Sequence, residues 1–232
     1  MLRRLAPPDM QPASFAFNAQ NAEWAKKEIA KYPGGRQASA VIALLWRGQE
    51  QEGWVTHPMI ESIAQMLSMP FIRVLEVATF YTMFNLVPVG TYLVQVCTTS
   101  PCWLAGSDAV VDACKKHILP HQHTISADGK FSWMEVECLG ACVNAPMLQI
   151  DKDFFEDLDG PITEKLLEDL RAGRAVKPGP QNSRHTSEPL GGATTLTDPS
   201  LFDGSMIGRQ KRGQAADAEA KTPAQKPPGA AS

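Results

Sequence analysis

Five cysteines, at positions 97, 102, 114, 138 and 142, are the residues of this chain best suited to chemistry. Four of them form two pairs: four residues separate Cys97 from Cys102, and three separate Cys138 from Cys142. Disulfides are disfavoured, because nothing marks the chain for export and five cysteines are too few for a stapled scaffold. Dithiol exchange favours two intervening residues, which neither pair has. Metal binding remains, as one tetrahedral zinc or as a two-iron, two-sulfide cluster, and spacing alone leaves both open. The loops favour the cluster. Thr98, Thr99 and Ser100 supply hydroxyl donors inside the first pair, and Gly140 with Ala141 lets backbone amides approach inside the second. Such donors hold the negative charge of an all-thiolate cluster and tune its potential. Cys102 is expected just before a helix, whose positive end would favour its thiolate. Cys114 falls on the inner stripe of an amphipathic helix and reads as a small buried hydrophobe.

Other candidates carry less. His121 and His123 sit in a polar loop after Pro120 and read as solvated. Asp151, Asp153, Glu156, Asp157 and Asp159 lack the glycine and spacing of a calcium loop, so a solvated acidic hairpin is expected. No glycine-rich dinucleotide fingerprint follows a strand and no phosphate-cradling loop occurs, so the chain is not expected to bind NADH by itself.

The elements that must position the cysteines fall into zones along the 232 residues, a length that suits one or two domains. An N-terminal arm, 1–14, is expected to fray, although a trimmed organellar presequence is an alternative reading. Residues 15–88 read as a helical docking domain of four helices. The first covers about 21–31. Ser39 would cap the second, which ends at Gly53; the third opens at Thr56 with Pro58 just inside; the fourth follows Pro70. Residues 89–172 change period. Strands are expected over 92–96, 130–137, 147–150 and about 154–158, with a helix capped by Ser107 after the first and another begun by Pro161 at the end. With the last two strands joined by a tight turn at Asp151 and Lys152 and counted as one hairpin unit, the order reads βαββα. Residues 173–232 are rich in Gly and Pro and are expected to be mostly disordered, with Ser200, Leu201, Phe202 and Asp203 as one short apolar exception. The fold class is therefore α+β.

Composition narrows the function. A formal net charge of −3 gains little from phosphate backbones. The third and fourth helices resemble a helix-turn-helix, but a reading helix with only Arg73, balanced by Glu76, suits partner packing better than base readout. A redox-sensing DNA regulator is thus a remote alternative. The longest apolar run, Ala40 to Trp46, is too short to span a bilayer, and Pro7, Pro8 and Asp9 interrupt any secretory stretch, so neither membrane insertion nor export is expected.

The run from Phe80 to Val89, then Gly90, Tyr92, Gln95, Val96, Cys97, Pro101 and Cys102, then Glu137 to Cys142 with Asn144, Ala145 and Pro146, resembles a known family. It is that of the thioredoxin-like [2Fe-2S] subunits, E-type in bacteria, of the peripheral arm of respiratory complex I. The resemblance spans about residues 15–172. It implies a thioredoxin-like ferredoxin domain holding one [2Fe-2S] cluster on Cys97, Cys102, Cys138 and Cys142, with no catalytic acid or base. It further implies that single electrons pass between that cluster and FMN. FMN and NADH would be bound by a neighbouring subunit on which the helical portion packs, with the large iron-sulfur subunit as a second partner. The assembly would be a proton-translocating NADH:quinone oxidoreductase, peripheral on the cytoplasmic side of the bacterial inner membrane, or on the matrix side in mitochondria. The alternative is the diaphorase subunit of an NAD-linked hydrogenase or formate dehydrogenase.

Overall fold

A computed structural model describes residues 3–189, 191–192 and 194–201. The helical part opens with α1 (Ala19–Ile29), where the Asn18 side chain accepts the Asn21 amide at 2.9 Å. Helix α2 (Val41–Glu52) ends at Gly53, whose φ of 84° suits a residue without a Cβ. Ser39 does not cap it. That residue lies inside a 3-10 turn, Gln37–Ala40, which feeds the chain straight into α2. Helix α3 (His57–Met66) starts as expected, with the Thr56 hydroxyl accepting the Met59 amide at 3.1 Å and Pro58 in the first turn. Helix α4 (Phe71–Phe80) follows Pro70. Leu44, Leu45, Met59, Ile60, Ile63 and Val74 are fully buried between these helices. Gly48 lets the Met59 thioether lie against α2, where a Cβ would stand 2.5 Å from the sulfur.

The arm expected to fray is fastened to this bundle. Arg3 donates to the carbonyls of Thr79 (3.1 Å), Tyr81 (2.6 Å) and Phe84, and the Ala6 amide donates to Leu86. Carbonyls at and just past the end of α4 thereby gain donors that the helix cannot supply itself. On the same helix, Arg73 and Glu76 form an exposed ion pair at 2.8 Å, which leaves little charge for reading a base.

The second part is a sheet of strands β1 (Tyr92–Cys97), β2 (Phe131–Val136), β3 (Leu148–Ile150), β4 (Asp153–Glu156) and β5 (Gly179–Pro180), in spatial order β2-β1-β3-β4-β5. Strand β1 runs parallel to β2 and antiparallel to β3. Its alternation puts Val94 and Val96 into the core, with Phe131, Trp133, Leu148 and Ile150 from neighbouring strands. Helices α6 (Ser107–His117) and α7 (Gly160–Arg171) contribute Val110, Val111, Leu166 and Leu167 to that same core. The Trp133 indole donates to the Leu119 carbonyl at 2.8 Å, so its polar edge is satisfied in the interior.

Three details differ from expectation. A short helix α5 (Ser100–Leu104) stands between β1 and α6. Gly106, at φ 98°, occupies the cap position of α6, and Ser107 becomes its first residue with a buried hydroxyl. The fifth strand carries the sheet past residue 172: Gly179 and Pro180 pair with Phe155 and Glu156, and Val176 packs on the sheet core.

The acidic hairpin does more than meet solvent. Asp151 accepts the Leu93 amide, Asp157 accepts from the Asn144 side chain at 3.0 Å, and Asp159 caps α7 by accepting the Ile162 amide at 2.7 Å. Lys152, in the β3–β4 turn, pairs with Glu50 on α2 and ties the hairpin to the helical bundle. His121 and His123 are exposed, as expected. A separate unit begins at Arg184; its described residues include a turn at His185–Glu188 and a 3-10 turn at Pro199–Leu201. Phe202 and Asp203 of the apolar exception lie outside the described residues.

Two expectations follow. A Cβ on Gly90 would stand 2.5 Å from the Phe131 backbone, so Gly90→Ala should lose about 1–3 kcal/mol of stability in urea unfolding, while Gly48→Ala, opposed only by flexible Met59, should lose less. Asp128 is held at a pKa of about 2, below its ordinary 3.8, by the Ser126 hydroxyl, the Lys130 amide and Arg171. Stability from a depressed carboxylate is present above 3.8 and disappears as pH falls through about 2. Asp128→Asn should therefore flatten the loss of melting temperature across that window, and an unchanged slope would contradict the contact.

Candidate metal centre

Two loops at one end of the sheet carry the paired cysteines. Cys97 ends β1, and Cys102 lies within α5; each is about 1% exposed. Cys138 follows β2 by two residues, Cys142 opens a 3-10 turn, and both are exposed. Gly140, at φ 87°, turns the chain between them and brings their sulfurs to 3.6 Å. Met147 is buried with Cys97 and Cys102, and Leu139 and Ala141 from the second loop pack against that trio. The Cys97 amide donates to the Met147 carbonyl at 3.3 Å, which anchors the mouth of β3 to the end of β1.

The sulfurs differ in what surrounds them. Burial resists ionisation of Cys97, yet the Thr99 hydroxyl and the amides of Leu139 and Thr99 hold its thiol below the ordinary range. Cys102 goes the other way: burial first, then the Cys97 sulfur beside it, push its thiol up to about 12. A helix dipole favouring thiolate is the sequence expectation here, but Cys102 sits inside a five-residue helix, and desolvation outweighs so short a dipole. Cys142 is raised by its hydrogen bond with Cys138, then by desolvation, then by the charges of Cys138 and Cys97. The buried and exposed pairs are thus electrostatic neighbours. Cys114 is fully buried in the sheet core, where burial pushes its thiol up to about 12, as a packing residue requires.

The hydroxyls divide as well. Thr99 Oγ1 stands 3.3 Å from Cys97 Sγ, whereas Thr98 donates to Glu135 on β2 at 3.3 Å. Met147 and Leu139, which build the floor and supply an amide, are not singled out by sequence reasoning. Their only signal is positional: Met147 immediately precedes β3, and Leu139 lies between two cysteines.

Among the described residues no three His, Cys, Asp or Glu side chains converge on a single ion position; the sulfurs stand as two pairs. A two-iron cluster takes two thiolates on each iron. A tetrahedral metal with sulfur bonds of about 2.3 Å has an edge of roughly 3.8 Å, close to the Cys138–Cys142 separation of 3.6 Å. The donor set fits such a group.

Comparison with known proteins agrees. Residues 25–171 match the family model of the thioredoxin-like [2Fe-2S] ferredoxin. The chain is 55% identical over 201 residues to an E-type subunit of the NADH-quinone oxidoreductase of Rhizobium meliloti (strain 1021), covering 85% of this chain and 73% of the relative. It is 48% identical over 159 residues to the corresponding NADH-quinone oxidoreductase protein of Rickettsia bellii (strain RML369-C), covering 68% of this chain and 95% of the relative. The fold is also similar to a chain of an NAD+-reducing [NiFe]-hydrogenase in the H2-reduced state, with a TM-score of 0.52 and 18% identity. That similarity covers 59% of this chain and 23% of the hydrogenase chain.

The burial pattern makes a chemical prediction for cluster-free, reduced protein. Iodoacetamide should modify Cys138 and Cys142 quickly and reach Cys97, Cys102 and Cys114 only in denaturant, as read by peptide mass spectrometry. Equal rates at Cys97 and Cys138 would contradict the arrangement.

Proposed function

This chain belongs to the thioredoxin-like [2Fe-2S] ferredoxin family, and on that premise we propose that Cys97, Cys102, Cys138 and Cys142 together hold its one [2Fe-2S] cluster. The chain then acts as an electron-transfer subunit of a proton-translocating NADH:quinone oxidoreductase. The observation that carries this reading is the close Cys138–Cys142 pair beside the buried pair, with backbone amides aimed at the Cys97 sulfur. When bound, the cluster supplies one-electron chemistry. The chain's own part is to furnish four thiolates, to keep water from Cys97 and Cys102 with Met147, and to leave the other pair at the surface, where a redox partner can approach. No side chain has to act as an acid or a base.

In this reading the electron partner is the FMN of a neighbouring NADH-oxidising subunit, and neither FMN nor NADH is bound by this chain. The large iron-sulfur subunit of the peripheral arm is the second neighbour, and the assembly sits on the cytoplasmic side of the bacterial inner membrane. No helix of the described residues is long and apolar enough to cross a membrane. The likeness of fold to the hydrogenase chain favours a second reading, a diaphorase subunit of an NAD-linked hydrogenase. The large subunits that co-purify decide between them: membrane quinone-reducing subunits support the first, and a hydrogenase subunit supports the second.

Anaerobically purified protein should contain iron and acid-labile sulfide in equal amounts and, after reduction with dithionite, give a low-temperature paramagnetic resonance signal. Cys97→Ser and Cys142→Ser should weaken or abolish that signal. A colourless protein with zinc and no sulfide, or a signal untouched by both substitutions, would refute the assignment.

A further inference from the structure

Three hydroxyl-bearing residues follow Cys97, and the fold sends them to different tasks. Thr98 turns to Glu135 on β2. Ser100 is the first residue of α5. Thr99 holds the N-cap position of α5, where a threonine hydroxyl ordinarily accepts an amide from the first turn. It makes no such bond here, and Pro101 in that turn has no N–H to offer. Its Oγ1 stands instead 3.3 Å from Cys97 Sγ.

We propose that the Thr99 hydroxyl is a tuning donor to Cys97 Sγ, raising the reduction potential of the cluster without ligating iron. The inference rests on the assignment of Cys97 as a ligand. Between a hydroxyl and a thiol either atom can donate. A thiolate has no proton to give, so in the loaded protein Thr99 must be the donor. Reduction adds one electron from an external reductant, which is reduced flavin in the proposed assembly and dithionite in the assay. No bond forms or breaks, and Thr99 keeps its proton. The added negative charge strengthens a hydrogen bond already aimed at sulfur, so the donor favours the reduced form. Cys97 is about 1% exposed, so water cannot readily replace the lost donor.

The test uses the full-length, cluster-loaded chain with Thr99→Val, Thr99→Ser and Thr98→Val. Iron and sulfide are measured for each, and midpoint potentials are read by redox titration followed by paramagnetic resonance. At a fixed ambient potential, Thr99→Val should lower the ratio of reduced to oxidised cluster about three- to tenfold, the upper end being a fall of about 59 mV for one electron. Thr99→Ser should retain the wild-type potential, and Thr98→Val should move it less than Thr99→Val does. An unmoved potential in Thr99→Val, or an equal shift in Thr98→Val, overturns the inference. So does a Thr99→Val protein that loads no cluster, since a structural role would then account for the residue. Wild-type protein lacking iron and sulfide would instead overturn the ligand assignment beneath it.

Discussion

The centre depends on the pairing of one strand with two neighbours of opposite direction. Because β1 and β2 run parallel, with Cys97 opposite Val136, both strands leave the sheet at the same end, and Cys138 emerges two residues beyond Val136. Because β3 runs antiparallel to β1, with Leu148 opposite Val96, it enters at that end and delivers Met147 beside Cys97. The two cysteine loops have no shared sequence neighbourhood; ladder register alone makes them adjacent. A slip of one residue would turn the Val94 and Val96 side chains out of the core, so the burial that stabilises the sheet also fixes the sulfur positions.

That register also explains the asymmetry of the pairs. Cys97 and Cys102 lie where the strand end and α5 close over Met147, whereas Cys138 and Cys142 lie on a loop whose outer side meets solvent. Desolvation prevails at Cys102, hydrogen-bond donors prevail over it at Cys97, and the neighbouring Cys138 sulfur leads at Cys142. The proposed electron-transfer role would use both surroundings: a dry side that keeps the site intact and an open side that admits a partner.

Much of this was legible in the residues. The two cysteine spacings, the buried stripe of Cys114, the starts of α3 and α4 and the alternation of β1 are local signals, and the structure places each where its period or cap implies. What escaped depends on distant parts of the chain. Ser39 and Ser107 have the right chemistry for caps, but the preceding backbone enters each helix by a turn that assigns the cap to another residue. The grip of Arg3 on carbonyls near the end of α4 is more than seventy residues away in sequence. The thiol of Cys102 illustrates the same limit, since its burial is a property of the assembled loops. Gly179 and Pro180 read as breakers of regular structure, and only the exposed rim of β4 makes a strand of them.

That last strand has a wider meaning. An open sheet edge offers a row of unsatisfied amides and carbonyls on which another molecule can stitch itself. Here the rim beyond β4 is two residues long, begins with glycine and ends with proline, which has no N–H to contribute. Such a margin gives an incoming β-segment little to grasp, so this flank disfavours edge-to-edge aggregation.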